Sequence, residues 1–124
     1  MADNFVEVAK QFCAFYYQQF DADRKLLGPL YRDQSMLTYE SSSVQGVNAI
    51  VEKLSGLPFQ KLQHKVTTLD PMPGLAEGGV LILITGQLLI DDNEHPMNFA
   101  QTFHLQKDPS GSFFVSHDIF KLVY

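Results

Sequence analysis

Four acidic side chains at the ends of apolar segments are the residues whose type and spacing could do chemistry in this chain. Glu40 ends one short apolar run, while Asp91, Asp92 and Glu94 follow the long uncharged run 80–90. If both runs are strands, a curved sheet could gather these carboxylates around one opening. An apolar pocket with an acidic rim would accept an aromatic side chain flanked by Lys or Arg. The alternative is a solvated acidic loop that serves solubility alone.

Metal and nucleophile chemistry have less support. The four histidines and Cys13 lack the C-x-x-C and H-x-x-x-H spacings of zinc sites. The chain also lacks a P-loop, a dinucleotide fingerprint and a nucleophile elbow, so we expect neither a metal ion nor a cofactor. Two interpretations of His64 stay open: a hydrogen-bonded core histidine, or a general base if the sheet brings it near Asp118.

The composition limits the class of partner. A net charge of −5 argues against nucleic acid or an anionic membrane as the main partner, because both require clustered Lys and Arg. A single cysteine fits a reducing compartment. The N-terminus lacks a signal-peptide pattern, and no apolar run is long enough to span a bilayer. We therefore expect one cytosolic or nuclear domain over residues 1–124, without membrane insertion.

The run 80–92 must position Asp91 and Asp92, and its alternation predicts a long strand with two apolar faces. Even-numbered residues from Val80 to Ile90 form one face, and odd-numbered residues from Leu81 to Leu89 form the other. A small antiparallel sheet usually has one solvated face. Two largely apolar faces therefore predict helices on one side and a second subunit on the other.

The remaining patterns predict three helices and a curved antiparallel sheet, an α+β fold. The first helix starts with Asn4 and Glu7 in a capping-box spacing. Asp23 caps a short second helix that stops at residues 28–29, and a third helix lies between Gly46 and Gly56. Strand-like patterns cover residues 36–40, 44–45, 61–69, 97–107 and 113–124. The Pro and Gly content of residues 70–74 predicts a loop.

Several blocks of the chain, in order, resemble the nuclear transport factor 2 family of carriers that return GDP-bound Ran to the nucleus. These blocks are FYY (15–17), FDADR (20–24), LTYE (37–40), IVEKL (50–54), LPFQK (57–61), GQL (86–88) and DIFKL (118–122). The resemblance covers nearly the whole chain. It implies three N-terminal helices packed on a curved, mainly antiparallel sheet that forms a cone with a hydrophobic cavity.

The resemblance also implies how Ran would be bound. Its cavity would receive an aromatic residue from the switch II region of Ran. By matching position, the cavity would be lined by Tyr39, Leu57, Leu62, Leu88, Ile90, Met97 and Phe120. Glu40 and Asp91, with Asp92 or Glu94, would pair with basic residues of Ran.

Two further surfaces follow from the resemblance. It implies a homodimer whose sheets pack face to face through Leu83 and Ile119. A first-helix aromatic would help to hold Phe-x-Phe-Gly repeats of nucleoporins, and this position falls on Phe5. Some members carry Trp where this chain has Phe5 and Tyr39. We expect a non-enzymatic import carrier in cytoplasm and nucleus, concentrated at the nuclear envelope through the pores.

Two alternatives share the cone-shaped fold. Ketosteroid isomerases have a similar fold and use a pocket Asp and Tyr, so Tyr16, Tyr39, Asp91 and Asp118 could supply an isomerase or cyclase-like enzyme. Such chemistry needs a carboxylate inside an apolar site, whereas the acidic cluster lies at strand ends. The other alternative is an adaptor subunit that pairs with a larger homologous domain in RNA export.

Overall fold

A computed structural model describes residues 4–58, 60–74, 77–91 and 95–123. The elements in chain order are α1 (Phe5–Ala22), a 3-10 helix (Arg24–Leu30), β1 (Tyr31–Tyr39), β2 (Ser42–Gln45), α2 (Val47–Ser55), β3 (Leu62–Pro73), β4 (Val80–Ile90), β5 (Met97–Lys107) and β6 (Phe113–Val123). Among the described residues, no helix is long and apolar enough to cross a membrane.

The six strands form one sheet in the order β2-β1-β6-β5-β4-β3. All neighbouring pairs are antiparallel except β1 and β6, which run parallel. Helix α1 packs on β3 and β4, and α2 packs on the 3-10 helix, β1 and β2. The helices therefore cover one face of the sheet, called here the inner face, and leave an outer face. The predicted α+β fold, with three helices on a curved, mainly antiparallel sheet, is confirmed.

Strand β4 has the two faces that its alternation predicts. Val80, Ile82 and Ile84 are buried on the inner face, whereas Leu81 and Leu83 are exposed on the outer face. The inner face is buried because α1 lies across it and contributes Tyr16 and other side chains to the same core. Among the residues that the structure describes, no element packs over the apolar outer face.

The predicted loop at residues 70–74 is wrong, because β3 continues to Pro73. Pro71 pairs with Ile82 and Pro73 with Val80. β3 is an edge strand, where proline is tolerated because it need not donate to a second neighbour. The composition of the segment thus marked a sheet edge instead of a turn.

Three register shifts interrupt the sheet, one of them in β1 between Tyr31 and Met36, opposite β6. β3 bulges between Val66 and Thr68 opposite Gly86, and a Cβ at Gly86 would collide with the carbonyl oxygen of Lys65. Glycine therefore allows the two backbones to approach. The third register shift lies between His104 and Leu105, opposite β6.

The ends of two predicted helices also differ from expectation. Asn4 adopts a helical conformation and its side chain makes no capping hydrogen bond, because a capping side chain needs an extended backbone at that position. Asp23 does cap the second helix by accepting from the Lys25 N–H. That helix is a 3-10 helix that runs through Pro29 to Leu30, and β1 therefore starts at Tyr31 instead of Met36.

Candidate functional site

The turn between β1 and β2 places Glu40 in an unusual backbone conformation. Tyr39 pairs with Ser42, which leaves Glu40 and Ser41 as a two-residue loop. Both have positive φ, at 51° and 72°, as a type I′ turn requires. Such turns favour Asn and Gly, and a left-handed conformation costs other residues about 1–2 kcal/mol each. The Glu40 carboxylate therefore occupies a position where a turn-forming residue would be less strained.

Hydrogen bonds to β6 fix the orientation of Glu40. Its backbone N–H donates to the Phe120 carbonyl at 3.1 Å. Its Oε1 accepts a short hydrogen bond from the Leu122 backbone N–H. The half-buried carboxylate is thus held at the end of the parallel β1–β6 pair.

Asp91 occupies the equivalent position at the end of β4. It also has a left-handed backbone, with φ of 53°, and its N–H donates to the Lys61 carbonyl at 2.7 Å. Oδ1 accepts from the Lys61 and Gln60 N–H groups at 2.9 and 3.0 Å. These backbone donors, led by that of Lys61, hold the pKa of Asp91 below its usual range. Asp91 is therefore an exposed, ionised and oriented carboxylate.

Three stacked aromatic rings lie next to Glu40. The rings of Tyr39 and Phe120 are parallel within 4°, with centroids 4.7 Å apart, and Phe120 stacks in turn on Phe99 at 5.4 Å. Burial, followed by the negative charge of Glu40, raises the pKa of Tyr39 to about 12. The phenol of Tyr39 stays neutral at physiological pH, so Glu40 carries the negative charge at this end of the sheet.

The other predicted cavity residues pair across neighbouring strands. Leu62 is opposite Ile90, and Leu88 is opposite Met97. Leu88 is fully buried, whereas the other three are partly exposed. Leu57, just after α2, is also partly buried against the core. The predicted cavity residues thus include one fully buried side chain, Leu88, among partly exposed ones.

Arg24 is a basic residue at this end of the molecule that the sequence hypothesis did not assign. Its positive charge acts on both Tyr39 and Asp91, in each case lowering the pKa after larger contributions. It also lines a pocket of about 140 Å³ together with Phe20, Asp21, Ala22, Asp23, Gln60 and Leu62. This volume is below the ~300 Å³ at which small-molecule sites begin. In the sequence, Arg24 stood out only as the last residue of the FDADR block (20–24) that resembles the family.

Other predicted site residues lie elsewhere. Asp92 and Glu94 fall outside the described residues. Phe5 lies in the first turn of α1, half-buried against the core. On the outer face, Leu83 and Ile119 flank Thr102 in direct register and are 46% and 53% exposed. The described members of the predicted rim thus lie at one end of the sheet, and the predicted dimer residues lie on its open face.

His64 is a core histidine. Its Nδ1 lies 2.7 Å from Asp21 Oδ1, and its backbone N–H donates to Asp21 Oδ2 at 3.0 Å. The ring stacks on Tyr17 with centroids 4.5 Å apart. The hydrogen-bonded core interpretation is therefore confirmed, with Asp21 instead of Asp118 as the partner.

The single cysteine is also a core residue. Cys13 is buried, and burial raises its pKa to about 12, so the thiolate that metal binding or nucleophilic attack requires is disfavoured. Across the stretches that the structure describes, no three His, Cys, Asp or Glu side chains are grouped to hold a metal ion.

A buried polar network surrounds Asp118. Its Oδ2 accepts from the phenols of Tyr31 at 2.8 Å and Tyr16 at 3.3 Å, and its Oδ1 accepts from Gln101 Nε2 at 2.8 Å. Tyr17 donates to Gln101 Oε1 at 2.7 Å. The carboxylate and tyrosine that the enzyme alternative needs therefore meet, but Asp118 is only 1% exposed and accepts three hydrogen bonds. Here the pair is part of the core.

We expect Asp118 to make stability depend on pH. Burial raises its pKa to about 6 despite the three hydrogen bonds, above the ~3.9 of an unfolded chain. The folded state therefore favours the protonated form, and this stabilisation is lost as the pH rises from about 4 through 6. The difference corresponds to about 3 kcal/mol.

Urea unfolding of the wild type and of Asp118→Asn from pH 4 to pH 7 measures this effect. The difference between their free energies of unfolding should change by about 2 kcal/mol, in favour of the variant at pH 7, because the unfolded carboxyl is already about half ionised at pH 4. The pKa of His104 is lowered by burial and by His117, so this residue lowers stability as the pH falls, opposite to Asp118. Because His104 is present in both proteins, its contribution cancels in the difference between them. A difference that stays constant with pH would contradict the prediction.

Comparisons with known proteins agree with this geometry. A family model described as the nuclear transport factor 2 domain matches residues 8–122. A protein of Emericella nidulans named nuclear transport factor 2 is 56% identical over 124 residues, which covers all of this chain and 98% of that protein.

Solved structures extend the comparison. The structure of nuclear transport factor 2 from Cryptosporidium parvum superposes with a TM-score of 0.91 at 39% identity, covering 97% of this chain and 95% of that one. A putative scytalone dehydratase from Novosphingobium aromaticivorans has a TM-score of 0.79 at 16% identity, covering 100% and 89%. At that identity the second likeness shows the fold alone, which enzymes share.

Proposed function

Because the chain belongs to the nuclear transport factor 2 family, we propose that it is a homodimeric, non-enzymatic carrier that binds GDP-bound Ran and Phe-Gly-repeat nucleoporins and returns Ran to the nucleus. The names of its relatives support a role in nuclear transport. We further propose that it moves between cytoplasm and nucleus and concentrates at the nuclear envelope through the pores.

The observation that carries the Ran proposal is that Glu40, next to the stacked rings of Tyr39 and Phe120, and Asp91 follow strands that end at the same end of the sheet. Each carboxylate follows a strand and is oriented by backbone N–H groups through one oxygen. Both residues have left-handed backbones, and strained conformations of this kind cluster at functional sites. We infer that the strained turns at Glu40 and Asp91 serve to position their negative charges.

Micromolar binding of Ran would require contributions from both the apolar cavity and the acidic rim. Burying one aromatic side chain of a partner contributes roughly 1.5–3 kcal/mol, whereas micromolar binding needs about 8 kcal/mol. Charge-assisted hydrogen bonds from basic residues of the partner to Glu40 and Asp91 would supply much of the difference. The third rim acid, Asp92 or Glu94, is part of the same proposal.

Retention of purified Ran on the immobilised chain tests the function. GDP-loaded Ran should be retained, while GTP-loaded Ran should pass through. Both forms should be compared at two salt concentrations, because binding through charged groups weakens with ionic strength. Equal retention of the two forms, or retention of neither, would overturn the Ran proposal.

Nucleoporin binding is proposed for Phe5 at the start of α1. Phe5→Ala should weaken binding of a Phe-x-Phe-Gly peptide about tenfold, since truncating an aromatic anchor commonly costs 1–2 kcal/mol or more. Binding of GDP-bound Ran should not change, because Phe5 is not among the residues proposed for the rim or the cavity. Titration calorimetry with each ligand measures both effects.

A matched control is needed because Phe5 packs against the core. Val6→Ala truncates the next residue, which is exposed, and should leave both ligands unaffected. If Phe5→Ala lowers the affinity for both ligands together with the melting temperature, general destabilisation explains the result and the assignment of Phe5 fails.

A further inference from the structure

Two histidines lie next to each other on the outer face of the sheet. His104 on β5 pairs directly with His117 on β6, with ring centroids 5.8 Å apart. The same row continues to Leu81 and Met72 on one side and to Met36 on the other. Two imidazoles thus lie between apolar side chains in this row, which ends at Gln45 on β2.

A single hydroxyl group holds both rings. Ser116 Oγ donates to the His104 carbonyl at 2.9 Å and lies 2.7 Å from His104 Nδ1 and 3.0 Å from His117 Nδ1. Because the hydroxyl proton is used on the carbonyl, Oγ faces both Nδ1 atoms as an acceptor. Each neutral ring then carries its proton on Nδ1, and Nε2 is the atom that takes up a second proton.

The outer face places these rings beside the residues proposed for self-association. Leu81 is followed on β4 by Leu83, and His117 on β6 by Ile119. Met72, Leu81, Leu83, Ile119 and Val123 are each 38–55% exposed on this face. Exposed apolar side chains grouped on one sheet face indicate an interface with another protein surface. Because they include Leu83 and Ile119, which are proposed for self-association, we take a second copy as the occupant.

Few charges surround the histidine pair. The β4 residues on this face are uncharged. The ionisable groups on the elements around the pair include Asp70 on β3, Glu77 in the β3–β4 turn, Lys107 on β5, Lys121 on β6, Arg32 and Asp33 on β1, and Asp108 in the β5–β6 turn. Arg32 and Asp108 pair with each other at 3.1 Å. Asp70 and Lys121 lie in other rows, opposite Leu83 and Ala100.

We propose that self-association of this chain through the outer face is linked to protons, and that protonation of His104 and His117 drives the dimer apart. The inference rests on the proposed homodimer and adds regulation of its assembly by pH. Each protonated imidazole would have to be buried in the interface, where its own row offers Met72, Leu81 and Met36. The carboxylate of the next row, Asp70, lies on the edge strand β3. Two-fold symmetry would bring the same charges from both copies into one interface.

The direction of the linkage follows from the burial of the rings. Burial, and then the neighbouring His117, already lower the pKa of His104 below its usual value in the single chain. Packing a second copy over the ring lowers it further, so dissociation takes up protons. The dimer is therefore favoured at neutral pH and weakened as the pH falls through the range where free histidine titrates.

Sedimentation equilibrium of the full chain at pH 7.5 and pH 5.5 tests the inference. The dissociation constant of the wild type should rise at least ~10-fold on acidification, because one proton per protomer already allows up to ~100-fold per pH unit. The double variant His104→Gln/His117→Gln keeps an N–H donor for Ser116 without a titrating group, and its dissociation constant should change much less. His95→Gln, in the β4–β5 connection, is the matched control and should behave like the wild type.

A second measurement does not depend on the variants. Histidine titrations followed by NMR in dilute and concentrated wild-type samples should give a lower pKa for His104 in the concentrated, dimeric sample. A dimer with the same dissociation constant at both pH values, or a double variant that keeps the full pH response, overturns this inference and leaves the dimer in place. A chain that is monomeric at pH 7.5 overturns the proposed dimer itself.

Discussion

Replacing Glu40 with lysine is expected to abolish binding of GDP-bound Ran. The change inverts the charge next to the stacked rings of Tyr39 and Phe120, so a basic partner residue would meet a like charge. Losing one partner of a hydrogen-bonded charge pair costs about 2–5 kcal/mol, and juxtaposed like charges cost several more. A loss of 4 kcal/mol would shift a micromolar complex to about millimolar. Titration calorimetry should then detect no binding.

A second substitution separates charge from structure. Glu40→Lys also removes the acceptor for the Leu122 N–H, which is expected to lower stability by about 1–2 kcal/mol. Glu40→Gln keeps a carbonyl acceptor and removes only the charge, so it should weaken Ran binding by an intermediate amount at nearly unchanged stability. Dimerisation and nucleoporin binding should be unaffected in both variants. Unchanged affinity of Glu40→Lys for Ran would refute the role of the rim.

The part of the fold that could be predicted from the sequence is the part that periodicity determines. The alternation of β4 requires two faces, and the structure buries Ile82 and Ile84 while it exposes Leu81 and Leu83. The order of helices and strands follows from similar patterns, and so does the capping role of Asp23. These features depend on neighbours in sequence, which the sequence contains directly.

Irregularities of the sheet could not be predicted in this way. On β6, alternation groups Val115 with Ile119, yet Val115 is buried and Ile119 exposed. The register shift opposite His104 and Leu105 reverses the faces on its two sides, because one extra residue moves every following side chain across the sheet. The extension of β3 through two prolines likewise depends on its position at the edge, which is a tertiary property.

The candidate site shows the same division. That Glu40 and Asp91 follow apolar strands could be predicted from the sequence. The left-handed backbones and the N–H groups of Gln60, Lys61 and Leu122 that orient the two carboxylates could not, since backbone donors have no sequence signature. The charge of Arg24 near Asp91 also depends on how the 3-10 helix packs.

Ile119→Glu is expected to convert the proposed dimer into a stable monomer. Ile119 is 53% exposed in the single chain, so a glutamate there would be well hydrated and should change the stability of the monomer by no more than ~0.5 kcal/mol. In a face-to-face dimer, two-fold symmetry would bury two carboxylates among apolar side chains, at an effective cost of several kcal/mol for each. The effect on association should therefore be among the largest that one substitution in this chain can produce.

Sedimentation velocity at micromolar concentration separates this mechanism from general loss of structure. Ile119→Glu should sediment as a monomer with a far-ultraviolet circular dichroism spectrum like that of the wild type. Lys10→Glu makes a larger change in net charge on the exposed side of α1, away from the outer face, and should remain dimeric. Persistence of the dimer in Ile119→Glu would mean that the outer face, despite exposed hydrophobic side chains such as Leu83 and Val123, is not where two copies meet. The pH dependence proposed for His104 and His117 would then lose its physical basis, because both inferences require that face to be covered.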